Sequence, residues 1–193
     1  MNRIKINIIF FLIVAFITGC SSFGTETIFV INGRVPVPKK LGYSQIMDEV
    51  EMTNVYDRAS ILFDSTMSHE LSKYSMNPDF YRINDFVGFE SINRDSIIQI
   101  CATNKLDGYI VTVLQFEITL HRLSRKRSDA SENVIATMYY FNPNGKLLVH
   151  VQYNTYEGET YMDYPKFKES IPDAVNGALT GLFDEIIRSQ NVK

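Results

Sequence analysis

Tryptophan is absent from the 193 residues, cysteine occurs twice, proline six times, and neither sign of charge dominates. Each shortage removes a class of protein. Two cysteines, Cys20 and Cys101, cannot staple a disulfide framework. A formal charge of -3 at pH 7 supplies no basic field for a phosphate backbone, so no nucleic-acid partner is expected. No second long apolar run follows the N-terminal one, so the body of the chain is expected to be soluble. What is present is 45% hydrophobic and 12% aromatic against 21% charged residues, the mixture of a globular domain with a core.

The N-terminus opens with two cations, Arg3 and Lys5, followed by the ten apolar residues Ile8 to Ile17. That run falls well short of the ~20 residues a spanning helix needs, and it fits the apolar region of a signal peptide. It ends in Ile17-Thr18-Gly19-Cys20, which resembles the lipobox of bacterial lipoproteins: an aliphatic residue, two small ones, then the cysteine that takes the lipid. The resemblance implies cleavage before Cys20, which leaves 174 residues; losing Arg3 and Lys5 moves the charge from -3 to -5. Ser21 rather than Asp after the cysteine resembles an outer-membrane address. The expected organisation is a signal peptide over 1–19, a lipidated tether over 20–27 and one domain over 28–193. The expected partner of Cys20 is the membrane itself, held by acyl chains at ~0.8 kcal/mol per buried methylene.

Periodicity sets out the body. Ile28 to Ile31 is a β-branched run that predicts a strand, and Gly33, Pro36 and Pro38 predict a loop over 32–42. Apolar steps of three and four from Val55 to Tyr74 predict an amphipathic helix, which Pro78 closes off. Phe80 to Ile83 is a short strand candidate. Asn93 stands where an N-cap belongs, ahead of a helix through Ile97, Ile98, Cys101 and Ala102 that ends at Leu106-Asp107-Gly108. A strand follows from Tyr109, with Leu114, Phe116, Ile118 and Leu120 expected inward and Gln115, Glu117, Thr119 and His121 outward. Ser124 to Asn133 is polar and predicts a loop. Val134 to Phe141, the Asn142-Pro143-Asn144-Gly145 turn, and Lys146 to Tyr156 predict a hairpin. Ser170 to Asp173 has the form of a capping box, with Pro172 in the first turn of a closing helix whose stripe includes Leu179 and Phe183. The predicted fold class is α/β (α+β): a mixed sheet with an antiparallel C-terminal meander and helices packed on it.

The helix Ile97-Ile98-Gln99-Ile100-Cys101-Ala102, its exit through Leu106-Asp107-Gly108, the meander and the closing helix together resemble small envelope α/β domains. Such domains occur in curli-secretion-type lipoproteins, as the amino-terminal domain of the Tol-system propeller protein, and in lipoprotein activators of cell-wall synthases. The resemblance implies a binding or assembly module without catalysis, and it carries over no site residue.

Candidate chemistry is sparse. His69-Glu70 lacks a second histidine four residues on, where Lys73 stands, so a zinc-protease face is not formed. His121 and His150 sit on predicted strands without metal-ligand spacing, and no metal or cofactor is expected. Gly42-Tyr43-Ser44 has no second glycine at nucleophile-elbow spacing, and Gly145-Lys146 belongs to a turn rather than a phosphate loop. Cys101 lies on the apolar side of its helix, as an inert core thiol would. Arg125-Lys126-Arg127 reads as a solvated loop. Gly177 and Gly181, four apart in a helix, predict close packing. Tyr153, Tyr156, Tyr161 and Tyr164, interleaved with Glu157, Glu159 and Asp163, are the candidate partner-binding surface, since tyrosines stack on sugars or seat in a groove. The expected function is a lipid-anchored, non-catalytic module that binds other envelope components, with an envelope hydrolase and a ring-forming assembly subunit as alternatives.

Overall fold

A computed structural model describes residues 24–31, 33–44, 47–48, 53–73, 79–83, 93–124, 127–155 and 166–191. In chain order the elements are β1 (Gly24–Val30), β2 (Lys40–Ser44), β3 (Met47–Asp48), α1 (Thr53–Leu71), β4 (Asp79–Ile83), α2 (Arg94–Asn104), β5 (Gly108–Ser124), β6 (Arg127–Phe141), β7 (Leu147–Asn154) and α3 (Phe167–Gln190). The strands form a single mixed sheet in the order β1-β7-β6-β5-β2-β4, with β3 also paired to β5. The meander of β5, β6, β7 and β1 is antiparallel, whereas β2, β3 and β4 run parallel to their neighbours. This is the predicted α/β class.

Two apolar layers flank the sheet. One side carries α1 and α3, whose Phe63, Met67, Leu179 and Phe183 meet Leu114, Met138 and Val151. On the other side α2 covers Tyr109, Val111 and Val113 with Ile97, Ile100 and Cys101. The switch from period 2 to period 3.6 in the sequence is what assigns each residue to its layer.

Local chemistry explains the joints. Asn93 caps α2 as predicted, its side chain accepting from the Ser96 amide at 2.8 Å. The helix closes on Lys105, which holds φ 55 in the left-handed region where glycine is normally preferred. Asp107 then accepts from the Lys40 amide at 3.0 Å and the Lys39 amide at 3.2 Å, pinning the start of β2 beside β5. The Asn142–Gly145 turn also forms as predicted, with Gly145 at φ 66.

Several expectations need correction. The predicted loop over Ser124 to Asn133 is strand: β5 runs to Ser124 and β6 starts at Arg127, in a continuous antiparallel register from Tyr109↔Phe141 out to Arg122↔Ser128. Cross-strand hydrogen bonding satisfies that backbone whatever the side chains are, so a polar sequence does not forbid pairing. Ile118 and Leu120 are not inward; they are 51% and 78% exposed, and among the described helices only the first turn of α3 meets that half of the hairpin. The first strand begins at Gly24, so residues 24–27 of the expected tether pair with β7. Lys40 to Gly42, expected in a loop, belong to β2.

The closing helix starts at Phe167, three residues before the predicted cap. Its first turn is capped from outside: Glu132 of β6 accepts from the Phe167 amide at 2.9 Å, and the buried Ser170 donates to the Glu132 carbonyl at 2.7 Å. Pro172 therefore lies in the second turn, where it cannot donate to the Lys168 carbonyl four residues back.

Candidate functional site

Among the described residues, the side chains with chemical potential do not form a catalytic set. A cleft of about 320 Å³ between α1 and α3 gathers Ser65, His69, Glu70 and Asp173, residue types that a hydrolase would use. Their partners lie elsewhere. Glu70 is paired with Lys73 at 2.7 Å and stands 4.0 Å from His69, while Asp173 accepts from the Tyr153 hydroxyl at 3.5 Å. No hydrogen bond joins Ser65 to His69, so the cleft lacks the nucleophile–base contact of a covalent mechanism.

His121 and His150 are not brought together. The first stands opposite Asp129 in the distal hairpin, the second opposite Tyr139 and Phe29 in the body of the sheet. The His150 ring stacks on Tyr139 at 4.3 Å, and burial lowers its pKa, so it favours the neutral form. Burial pushes the Cys101 thiol up to about 11, which keeps it protonated and inert at neutral pH. Among the described residues there is no group of three or more His, Cys, Asp or Glu side chains placed to hold a metal ion.

One charged cluster is invisible in the sequence. Asp64 of α1 meets Arg82 of β4 at 3.0 Å, near Tyr43 of β2. Burial raises the Asp64 pKa against the opposing pull of Arg82, and its second oxygen has no hydrogen-bond partner. The residues come from three elements far apart in sequence, so no local pattern announces them. Among the described residues the pair joins β4 to α1.

Of the candidate interaction surface only Tyr153 is among the described residues, and it lies at one end of the sheet. Gly24 pairs with Asn154, Asn154 with Ile135, and Ile135 with Gln115, so these four residues share a level across β1, β7, β6 and β5. Tyr153 sits at this level, packed on α3: a Cβ at Gly177 would lie 2.1 Å from its ring, and one at Gly181 would lie 2.2 Å from Thr25. The two glycines thus allow close approach of α3 to β7 and β1, the packing predicted for them.

Tyr156, Tyr161 and Tyr164 fall outside the described residues, as do Cys20 and the Arg125-Lys126 pair. The segment that contains the three tyrosines leaves the sheet at Thr155, bonded to Val134, and returns at Lys166, bonded to the Ala130 carbonyl. Both anchor points belong to this same end. Past it, among the described strands, only β5 and β6 continue, and Ile118 and Leu120 follow Phe116 on the face where Phe116 meets Phe167 edge-on at 5.1 Å. The first turn of α3 reaches the level of Ile118 through Glu132, and Lys166 reaches that of Leu120 through Ala130, yet both apolar side chains stay exposed.

No family model matches the chain, and no curated protein matches it. Among solved structures, it is similar to the PelC dodecamer from Paraburkholderia phytofirmans, with a TM-score of 0.52 and 11% identity over 82% of this chain and 95% of that one. The lipoprotein GNA1162 from Neisseria meningitidis aligns at a TM-score of 0.44 and 12% identity, over 77% of this chain and 98% of that one. The first likeness is one of fold, and the second is too loose to carry an argument.

Proposed function

We propose that the chain is a bacterial lipoprotein, anchored through Cys20 in the outer membrane, that works in the envelope by contact rather than by catalysis. The observation that carries this reading is positional. The lipobox cysteine stands four residues before Gly24, and the tyrosine-bearing segment leaves and re-enters the sheet at the same end as Gly24. Four extended residues reach at most about 14 Å, so a lipid on Cys20 holds this end of the sheet close to the bilayer. Tyr153, Tyr156, Tyr161 and Tyr164 then belong to the membrane-proximal side, where aromatic side chains supply contact area at low entropy cost. Tethering raises the effective concentration of the module near envelope partners without any new contact. The scattered acids and bases described above add support to a non-catalytic role.

Replacing Tyr156 and Tyr161 by Ala together tests the surface. Crosslinking in intact cells is expected to lose its principal partner while the melting curve is retained. Unchanged crosslinking removes the surface, and turnover of an envelope substrate by the purified protein removes the class.

A second reading is a ring-forming subunit. It is favoured by the fold shared with PelC, which is a dodecamer, and by the position of β1 and β4 as the edge strands among the described ones. Sedimentation of the detergent-solubilised lipoprotein separates the two, since a contact module sediments as a monomer and a ring as a single large species.

A further inference from the structure

β1 is the outermost described strand on its side of the sheet, and it is lightly held. Thr25 to Phe29 are all exposed, whereas Val149 and Val151 across the ladder are buried. The register with β7 shifts between Thr27 and Phe29, so the ladder is interrupted midway. Two hydroxyls fasten the strand to α3: Thr25 donates to the Gly177 carbonyl at 3.3 Å, and Thr27 donates to the Glu185 carboxylate at 3.0 Å. The chain beyond β1 is fixed more firmly. The Ile31 amide donates to the Leu148 carbonyl at 2.9 Å, and the amide of the buried Val35 donates to the Ser189 hydroxyl at 3.0 Å. A strand with exposed side chains and a firm end is where local opening costs least.

His150 stands beside the interruption. It is the β7 partner of Phe29, and its ring stacks on Tyr139 of β6. Its Nε2 is buried and has no hydrogen-bond partner among the described residues. A neutral imidazole tolerates this, because its proton can sit on Nδ1 and leave Nε2 a bare acceptor. Once protonated, Nε2 is a donor with nothing to donate to, and the ring carries a charge out of reach of water. The charged groups on the surrounding elements are engaged or placed elsewhere. Glu26 of β1 lies opposite Gln152, two residues along β7, and Arg94 of α2 donates to the Asn144 carbonyl. Glu185 of α3 is bonded to Thr27 and Arg188.

We propose that His150 is an acid-sensitive catch on β1: its protonation releases β1 from β7 as a unit, with Ile31 as the hinge. Water then reaches Nε2, while the sheet from β7 to β4 stays closed. The opening itself needs no anchor. Its consequence rests on the lipid at Cys20, since release of β1 lengthens the tether from at most about 14 Å to at most about 40 Å. In acid the body then stands off the bilayer and leaves the membrane-proximal contacts.

Amide hydrogen exchange on the full lipidated chain in detergent tests the catch, with rates corrected for the intrinsic effect of pH. The protected amides of β1 are expected to exchange faster than those of Tyr109 to Leu114 at pH 7.5 and at pH 5.5, as a strand that opens alone must. Between those two pH values the protection of β1 is expected to fall by up to about tenfold, because only the open form holds an imidazole at its ordinary pKa. In His150→Phe and in His150→Gln the fall is expected to disappear, although Glu26 and Glu185 still titrate.

Protection in β1 equal to that in β5 would mean that the strand opens only with the whole fold, which overturns the proposal. So does a β1 protection that acid leaves unchanged, or one that falls as far in the two variants as in the wild type. A mature chain without lipid on Cys20 removes the lengthened tether and leaves the catch standing.

Discussion

The two halves of the β5–β6 hairpin share one ladder of strand pairing, and they differ in sequence and in cover: Tyr109 to Leu114 is apolar but for Thr112, whereas Gln115 to Leu120 alternates polar with apolar residues. From Tyr109 to Leu114 every residue of β5 is buried, because α1 and α3 cover one face and α2 the other. From Gln115 onward, among the described helices, only the first turn of α3 meets the hairpin, at Phe116 and Glu132, and Ile118 and Leu120 meet water. Strand pairing is common to both halves, so hydrogen bonding alone does not decide what is core. Burial follows the helices, and the exposed half keeps its shape through the ladder while offering its face to something else.

The contrast can be broken most strongly from the covered half. Phe183→Ala removes a fully buried ring from α3 and is expected to cost about 3–5 kcal/mol in a denaturant melt. Leu120→Ala in the uncovered half is expected to change stability by no more than about 0.5 kcal/mol. Similar losses at the two sites would erase the distinction.

A smaller effect is expected where α3 crosses the meander. Gly177→Ala drives a methyl group into the Tyr153 ring and is expected to cost about 1–3 kcal/mol. Adding Tyr153→Ala should recover part of that loss, a coupling that a double-mutant cycle reads directly.

Such crossings also show how far the sequence could be read. The helix stripes, the Asn93 cap, the Asn142–Gly145 turn and the antiparallel meander follow from local periodicity and capping chemistry, and each stands where the residues placed it. The true start of α3 did not show, because its cap is Glu132, thirty-five residues away in β6. Nor did β2 or β3, which are short and find their pairing on β5 rather than in their own pattern. The distal hairpin was missed for a related reason: a polar stretch with three cations looks like a loop until its backbone is given a partner strand. Of the candidate surface, the sequence marked the tyrosines, and only the sheet register shows that the residues flanking their segment, Thr155 and Lys166, lie at the Gly24 end.

At the buried start of β5 the comparison can be sharpened by a gain. Lys105 holds a left-handed conformation that a β-carbon disfavours, so Lys105→Gly is expected to stabilise the domain by up to about 1 kcal/mol. The melt should move upward, and a loss would mean that the Lys105 side chain has a role of its own.

The smallest expected effect is titration of His150 beneath Tyr139. Burial lowers its pKa from 6.5, so the folded chain binds fewer protons than the unfolded chain just below that value. The stability tied to neutral His150 is complete above about pH 6.5 and is lost as the pH falls through that range toward the folded-state pKa. Denaturant midpoints from pH 7.5 down to about 5 should therefore fall less steeply in His150→Phe than in the wild type. Equal slopes would show that His150 is as solvated in the fold as in the unfolded chain.

All of these describe how the domain is built; what it is for turns on where it is held. The direct measurement is the mass of the N-terminal peptide from protein purified out of the membrane fraction. The account predicts a chain that begins at Cys20 and carries acyl groups on it, with Cys20→Ala left as an uncleaved, unlipidated precursor. A mature chain that begins at another residue, or an unmodified Cys20, would contradict it.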